Sequence, residues 1–204
     1  YIGGTESPAS NVIVIPALTL PATPEISSLS YNIQGQNTLQ VLTTDFDLDN
    51  INRNPVFGFE AIAIDEDMAI IGSLSGGKSD TQAAYIFEKT ADGTWSETAK
   101  LTASDGTAND EFGRSVAISG DTAIVGNAID DDNDDFTGSA YIFEKSADGT
   151  WSEVAKLTAS DGAANDQFGS SVAISGETAI VGAYRDDDEG DDTGSAYIFE
   201  KSAD

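Results

Sequence analysis

The stretch FGRSVAISGDTAIVGNA at residues 112–128 decides the fold, because the chain repeats it almost letter for letter as FGSSVAISGETAIVGAY at residues 168–184. The two copies begin 56 residues apart, and Tyr141 recurs as Tyr197 at the same interval. An earlier copy begins at Phe57, 55 residues before the quoted stretch. Self-similarity at a period of this length is typical of solenoids, propellers and modular arrays.

Each repeat contains four apolar runs that have the length of strands rather than helices. Two tight turns are expected inside it, at Gly120-Asp121 and at Asp148-Gly149, where a residue tolerant of positive φ is needed. The repeat therefore predicts a meander of four antiparallel strands at residues 115–119, 122–126, 140–145 and 151–158.

The second run, TAIVG at residues 122–126, is apolar without alternation, as expected for a strand that neighbouring sheets cover on both faces. Four strands per repeat with both faces buried indicate blades packed radially around an axis, whereas a β-helix needs much shorter coils. The sequence thus predicts an all-β fold of propeller type. Phe112 and Phe168 should insert between adjacent blades, and Gly113 and Gly169 should permit close backbone approach.

The repeated residues resemble a known family. Phe-Gly opens each copy, Gly-Ala or its counterpart closes the second strand, and an aromatic third strand and a Trp-led fourth strand follow. This pattern resembles the FG-GAP repeats of bacterial surface proteins and of the integrin α-subunit head, and it covers residues 57–204. The resemblance implies a β-propeller of about seven blades. Three copies do not complete such a propeller, so the chain is expected to be a fragment.

The expected organisation follows from the repeat boundaries. In residues 1–37 short β-prone runs are broken by Pro16, Pro21 and Pro24, which is typical of a linker or the tail of a preceding module, or else of a disordered flank. A divergent partial blade should follow. The remaining residues should form two blades and a truncated blade, so that the four predicted units are residues 38–56, 57–111, 112–167 and 168–204.

Metal binding is expected at the acidic connections. Integrin-type repeats carry a calcium loop between the first two strands, but here residues 119–121 are too few to surround an ion. The acids instead lie between the second and third strands, at residues 128–138 and 183–194, as in the bacterial variant. Like charges this close favour a hard cation with oxygen ligands, or else water-exposed loops with diffuse counterions. The candidate calcium ligands are Asp130, Asp132, Asp134, Asp186, Asp188 and Asp191.

A third acidic connection precedes the first full repeat. Asp45, Asp47 and Asp49 place oxygens at alternating positions, as a calcium loop does, although Asn50 occupies the position at which such a loop prefers glycine. A solvated acidic loop is the alternative. In the connections between repeats, by contrast, Asp105 and Asp110 are expected to cap turns rather than to bind metal.

Composition excludes several classes of function. With 36 acidic and 9 basic side chains the formal net charge is −27, which repels nucleic acid and anionic membrane surfaces. The chain has no cysteine and no histidine, which removes Ser-His and Cys-His catalysis and the usual zinc ligands. The sequence contains no run of 18 apolar residues, so it does not predict direct membrane insertion. Calcium or magnesium, bound through oxygen, is the cofactor that remains.

The family resemblance implies a non-enzymatic module of a secreted or cell-surface protein that acts in adhesion or binds a protein or glycan on another surface. Its other expected partners are the neighbouring blades of the full-length chain. Two alternatives remain open. One is a purely structural spacer that binds nothing. The other is a propeller hydrolase or lyase, since carboxylates are abundant enough to form an acid/base pair.

Overall fold

β-Strands are the only regular elements in the part of the chain that the structure describes. The computed structural model describes residues 28–31, 39–42, 56–74, 82–107, 110–130, 136–187 and 193–202. Within these ranges no helix is long and apolar enough to cross a membrane.

The strands form one hairpin and three larger antiparallel sheets. The hairpin consists of β1 (Ser28–Tyr31) and β2 (Leu39–Leu42). The first sheet consists of β3 (Val56–Asp65), β4 (Met68–Leu74), β5 (Ala83–Lys89) and β6 (Trp95–Leu101). The second consists of β7 (Ser115–Ser119), β8 (Thr122–Asn127), β9 (Ser139–Lys145) and β10 (Trp151–Leu157). The third consists of β11 (Phe168–Ser175), β12 (Thr178–Ala183) and β13 (Ser195–Glu200).

The predicted meander is confirmed. In each larger sheet the strands are neighbours in chain order, and in the second sheet their ends lie within one residue of the predicted ends. Ser119 pairs with Thr122 across the Gly120-Asp121 turn, where Gly120 has φ of 53°. Gly149 has φ of 88° in the turn that follows β9. The positive φ values explain why glycine occupies both positions.

The hairpin joins two segments that the sequence separated. β1 lies in the predicted linker, residues 1–37, and pairs antiparallel with β2 in the predicted partial blade, residues 38–56. The paired residues run from Ser28 with Leu42 to Tyr31 with Leu39. Part of the predicted linker is thus a strand that contributes to the same hairpin as the following segment.

The three larger sheets stack face to face. We call the face that carries the third-strand tyrosine (Tyr85, Tyr141 or Tyr197) the front face of its sheet, and the opposite face the back face. The front face of the second sheet packs on the back face of the first sheet, and the front face of the third on the back face of the second. β8 lies between two such junctions, and its residues Ala123 to Val125 are fully buried. The expectation that TAIVG is covered on both faces is confirmed.

A phenylalanine fills each junction, as predicted. Phe112 is buried and contacts the rings of Tyr141 and Phe143 edge-on, with centroid separations of 5.5 and 6.1 Å. Phe168 makes the same contacts with Tyr197 and Phe199, at 5.4 and 6.0 Å. Edge-on aromatic pairs of this kind add about 0.5–1.5 kcal/mol to the stabilisation from burial.

The glycine that follows each phenylalanine lets two backbones touch. A Cβ atom at Gly72 in β4 would collide with the carbonyl oxygen of Gly113, and a Cβ atom at Gly126 in β8 would collide with that of Gly169. Each Phe-Gly pair therefore packs against the glycine that closes the second strand of the preceding sheet. This contact explains why both glycines recur at the repeat interval.

Candidate functional site at the sheet junctions

The two acidic connections are closed in the same way at their bases. The amide of Gly138 donates to the carbonyl oxygen of Asp130 at 3.1 Å, and the amide of Gly194 donates to that of Asp186 at 2.9 Å. Asp130 and Asp186 are 4% and 2% exposed. The acidic residues between these closures thus belong to two loops with equivalent fixed ends in successive sheets.

The Asp130 side chain lies in a polar cluster rather than in solvent. Its Oδ2 atom accepts a hydrogen bond from the Ser139 hydroxyl and lies 2.9 Å from Lys156 Nζ and 3.1 Å from the Tyr141 hydroxyl. Ser139 and Tyr141 come from β9 and Lys156 comes from β10, so the register of these two strands brings the donors together. The carboxylate is neutralised by an ammonium group and desolvated at the same time, as a buried charge requires.

Asp105 reaches the same cluster from the connection between the first and second sheets. Its Oδ1 atom accepts a hydrogen bond from the Tyr141 hydroxyl at 2.7 Å, and its Oδ2 atom accepts one from Lys156 at 2.8 Å. We call Asp105, Asp130, Ser139, Tyr141 and Lys156 the Tyr141 cluster. It ties together a connection between sheets, the base of an acidic loop and two strands.

The electrostatics of the cluster keep its phenol neutral and the Asp105 carboxylate charged. Burial is the largest cause that raises the pKa of Tyr141 above its ordinary value, and the Asp105 and Asp130 carboxylates raise it further. Burial would also raise the pKa of Asp105, but the hydrogen bonds from Lys156 and Tyr141 outweigh it and leave that pKa lowered. Lys156 Nζ also lies 5.3 Å from the centroid of the Tyr141 ring. The ammonium group is thus placed for both ionic and cation–π attraction.

The third sheet repeats part of this arrangement. The Tyr197 hydroxyl lies 2.8 Å from Asp161 Oδ1 and 2.6 Å from Asp186 Oδ2. Burial raises the pKa of Tyr197, and its hydrogen bonds to the Asp186 and Asp161 carboxylates raise it further, so the hydroxyl stays a donor. We call Asp161, Asp186 and Tyr197 the Tyr197 cluster. Each tyrosine follows its connection aspartate by 36 residues.

A second aspartate in each connection caps a turn, as predicted. The Asp110 carboxylate accepts hydrogen bonds from the amide and hydroxyl of Thr107, and that of Asp166 accepts one from the Ala163 amide. Burial raises the pKa of Asp166, and the nearby Asp186 and Asp187 carboxylates contribute to the increase. The backbone carbonyl of Asp166 also accepts from the amide of Arg185, next to the base of the acidic loop.

The predicted calcium ligands divide into two groups. Asp130 and Asp186 are both buried and held by tyrosine hydroxyls. The others, namely Asp132, Asp134, Asp188, Asp191, Asp45, Asp47 and Asp49, lie outside the described residues. Among the residues that are described, no group of three or more carboxylates is arranged to hold a metal ion.

Sequence reasoning did not find the Tyr141 cluster. It assigned Asp105 to turn capping and Tyr141 to an aromatic strand face, and it gave Lys156 no role. The signal was the spacing of 36 residues between aspartate and tyrosine, which two successive repeats share. That spacing alone does not reveal a contact, because only the stacking of the sheets shows that the aspartate and the tyrosine lie close together.

Comparison with protein families agrees with this architecture. The family model described as FG-GAP repeat matches residues 95–143 and 151–199. Each match runs from the fourth strand of one sheet to the third strand of the next, and so includes the connection between the two sheets. No curated protein matches the chain. With the Phe-Gly and glycine contacts described above, these matches lead to one conclusion: the repeated part of the chain belongs to the FG-GAP repeat family, and its sheets are β-propeller-type blades.

Proposed function

We propose that the chain is a non-catalytic module of a secreted or cell-surface protein, and that it binds a protein or glycan on another surface through its acidic loops. The observation that supports this most directly is the shared closure of the two loops at Asp130–Gly138 and Asp186–Gly194. Loops with fixed ends on a rigid stack of sheets are the usual places where such scaffolds carry binding residues.

In this proposal calcium orders the loops. Between the closures lie the acids of residues 131–135 and 187–192, and calcium prefers six to eight oxygen ligands of this kind. Asp130 Oδ2 already faces Lys156 and the Ser139 and Tyr141 hydroxyls, so the fit at this oxygen is poor. The better ligands are therefore the loop acids Asp132, Asp134, Asp188 and Asp191, with Asp130 and Asp186 fixing the loop bases. Asp45, Asp47 and Asp49 are proposed as a further, independent calcium loop.

The proposal of a non-catalytic role is supported by the state of the described carboxylates. Lys156 binds Asp105 and helps to lower its pKa, so this carboxylate is not poised as a general acid. A net charge of −27 also supports partners other than nucleic acid and anionic membranes.

A purely structural spacer is the second candidate. It is favoured by the Tyr141 cluster, whose polar groups bind one another across a junction and so serve the stacking of the sheets. The two candidates differ in what the acidic loops do, because a spacer gives them no ligand.

Calcium titration distinguishes the candidates. We expect calorimetry to detect saturable binding with a dissociation constant of about 10⁻⁴–10⁻³ M, the range of extracellular calcium modules. The melting temperature should rise with calcium, since a ligand at 100 times its dissociation constant stabilises the native state by about 2.7 kcal/mol. Sodium chloride at equal ionic strength serves as the control for simple screening.

A charge-matched pair of variants identifies the loops as the site. Asp132→Asn/Asp134→Asn/Asp188→Asn/Asp191→Asn should remove the binding heat and the melting shift that these two loops contribute, and leave only the response of the separate loop at Asp45, Asp47 and Asp49. The control removes four exposed acids from the short turns between first and second strands: Glu66→Gln, Asp67→Asn, Asp121→Asn and Glu177→Gln. Its response to calcium should equal that of the wild type. Equal losses in both variants would show a diffuse counterion effect and would favour the spacer.

A further inference from the structure

The second strand of the second sheet ends in an asparagine that is completely buried. Asn127, the last residue of β8, is 0% exposed. Within the part of the chain that the structure describes, neither the Nδ2 nor the Oδ1 atom of its side chain has a hydrogen-bond partner. Burying an amide without hydrogen bonds is costly, and native proteins satisfy nearly all such groups. Asn127 therefore indicates that its amide binds a partner other than the described side chains.

The fold itself does not require an amide at this position. Ser73 and Ala183 are the equivalents of Asn127, because each follows the glycine near the end of the second strand of its sheet. All three residues are buried. Since Ala183 fills the position in the third sheet without any polar side-chain atom, neither strand pairing nor sheet stacking explains the amide. The amide is a property of the second repeat alone.

Asn127 lies beside the Tyr141 cluster. It is directly opposite Ser139 in the pairing of β8 with β9, so the two side chains share the front face of the second sheet, with Cβ atoms about 4.5–5.5 Å apart. The Ser139 hydroxyl donates its proton to Asp130, and its oxygen keeps lone pairs that can accept a hydrogen bond. Because the amide does not bond Ser139 directly, this separation suits a bridge through one water molecule.

Only a ligand that both donates and accepts hydrogen bonds satisfies an amide. A cation would satisfy Oδ1 and leave Nδ2 unpaired, and an anion would do the reverse. The buried Asp130, whose amide donates to the Asn127 carbonyl oxygen at 3.4 Å, also repels an anion. A water molecule has both functions, and buried waters typically make about three hydrogen bonds to polar groups of this kind. The small residues Gly126 and Ala128 flank Asn127 and present little steric obstacle to water.

We propose that Asn127 binds structural water at the junction of the first and second sheets. One water molecule accepts a hydrogen bond from Asn127 Nδ2 and donates one to Ser139 Oγ, and a second donates to Asn127 Oδ1. The first water thereby joins Asn127 to the Tyr141 cluster. The site does not depend on the proposed binding of calcium or of a ligand, because neither water takes a carboxylate of the acidic loops as its partner.

The first test detects the water by nuclear magnetic resonance in the complete 204-residue chain. Isotopically labelled asparagine makes the side-chain amide signals visible, and Asn127→Ala assigns the signal of Asn127 by its loss. Magnetisation transfer from water to this amide should have opposite signs in the NOE and ROE experiments, as it does for a long-lived bound water. Chemical exchange with solvent gives the same sign in both. A chelator is present throughout, so that calcium takes no part.

Asn165 is the matched control for this measurement. Its side chain is exposed, so it contacts only short-lived surface water and should show no long-lived transfer. The comparison separates water that is held in the junction from water that hydrates any asparagine on the surface.

Two substitutions of nearly equal volume give an independent test. Asn127→Ser keeps a hydroxyl that can bond the water, whereas Asn127→Ala removes every polar side-chain atom. With water bound, Asn127→Ser should melt about 2–4 °C above Asn127→Ala, because one net hydrogen bond is retained. In a dry site the order reverses, because the serine hydroxyl is then buried without a partner. Circular dichroism should show the same strand content in both variants.

A crystal structure of the chain should show an ordered water within hydrogen-bond distance of both Asn127 Nδ2 and Ser139 Oγ. Three outcomes would overturn the proposal. The first is transfer at Asn127 that is absent or has the same sign in both experiments. The second is a melting temperature of Asn127→Ala equal to or above that of Asn127→Ser. The third is a crystal structure in which the amide bonds a protein side chain or a metal ion instead of water.

Discussion

Lys156 is the residue on which the polar part of the second-sheet junction depends. Its ammonium group contacts Asp105 and Asp130 and lies over the ring of Tyr141. Asp130 is almost fully buried, so its charge has little access to water. Removing one partner of such a pair costs more than the pair itself contributes, because the remaining charge stays desolvated.

We therefore expect Lys156→Met to lower the free energy of unfolding by about 2–4 kcal/mol, although methionine retains the apolar stem of the side chain. Urea unfolding followed by circular dichroism measures the change. The matched control is Lys89→Met, whose partner Asp67 is largely exposed, and the expected loss there is below about 1 kcal/mol. Equal losses in the two variants would mean that Lys156 does not neutralise the buried carboxylate.

Asp166 should give the stability a distinctive dependence on pH. Its pKa in the folded chain is raised from the ordinary value of 3.8, chiefly by burial. Between the two values the native state binds more protons than the unfolded state, so stability falls as the pH rises through this interval. The full cost is present at neutral pH. Asp166→Asn keeps an oxygen for the Ala163 amide, and should therefore stabilise the chain at pH 7 but not below about pH 3.

Asp148 provides a control, because its pKa is shifted in the opposite direction from that of Asp166. The Ser146 hydroxyl and the Thr150 amide donate to this exposed carboxylate and lower its pKa. Its contribution to stability is present above the unfolded value of 3.8 and is lost as the pH falls through the folded value. Asp148→Asn should thus destabilise the chain at pH 7, and the difference should shrink in acid. Parallel profiles for the two variants, from urea unfolding at several pH values, would contradict both assignments.

At the scale of the elements, the glycine that closes the second strand sets the distance between sheets. Gly126 of β8 lies against the carbonyl oxygen of Gly169, which belongs to the next sheet. Gly182 of β12 occupies the same place in the third sheet, but among the described residues a Cβ atom there would meet chiefly the Ser171 hydroxyl. The two positions therefore differ in whether backbone or a rotatable side chain opposes them.

Gly126→Ala should separate the second and third sheets and lower the free energy of unfolding by about 2–3 kcal/mol, the cost of overpacking against a rigid backbone. Gly182→Ala should cost less than about 1 kcal/mol, because the Ser171 hydroxyl can rotate away. Chemical denaturation of both variants measures the difference. Similar losses would show that the glycine is required by the strand itself and not by the junction.

The sequence predicted most of the repeat at this scale. Local patterns predicted the strand ends in the second sheet, the turns at Gly120 and Gly149, and the packing of Phe112. These patterns recur from one repeat to the next, which strengthened the prediction. The pairing of β1 with β2 was missed, since prolines on either side of the short runs favoured a linker. β3 has ten residues although a short first strand was expected, and its pairing with β4 is irregular between Phe57 and Ile62.

The candidate site was less accessible to sequence reasoning. The acidic runs identify where the loops lie, but a run of like charge predicts a solvated face. Asp130 is buried in spite of this, because Lys156 and Tyr141 reach it from strands that follow it in the chain. Such partners are fixed by strand register and sheet stacking, which are not properties of the run itself.

At the scale of the whole molecule, the stack has a direction. Among the described residues, both junctions join a back face to a front face, and an ion pair crosses each of them from a glutamate of one sheet to a lysine of the next, Glu88 to Lys145 and Glu144 to Lys201.

The way the Phe-Gly pair of one sheet fits the glycine of its predecessor has an evolutionary consequence. Because each junction takes half of its residues from one repeat and half from the following one, gene duplication of a whole 56-residue unit creates a new junction that is already correct on both sides. Gain or loss of only part of a unit destroys a junction. Unequal recombination in whole units therefore preserves the junctions between neighbouring repeats.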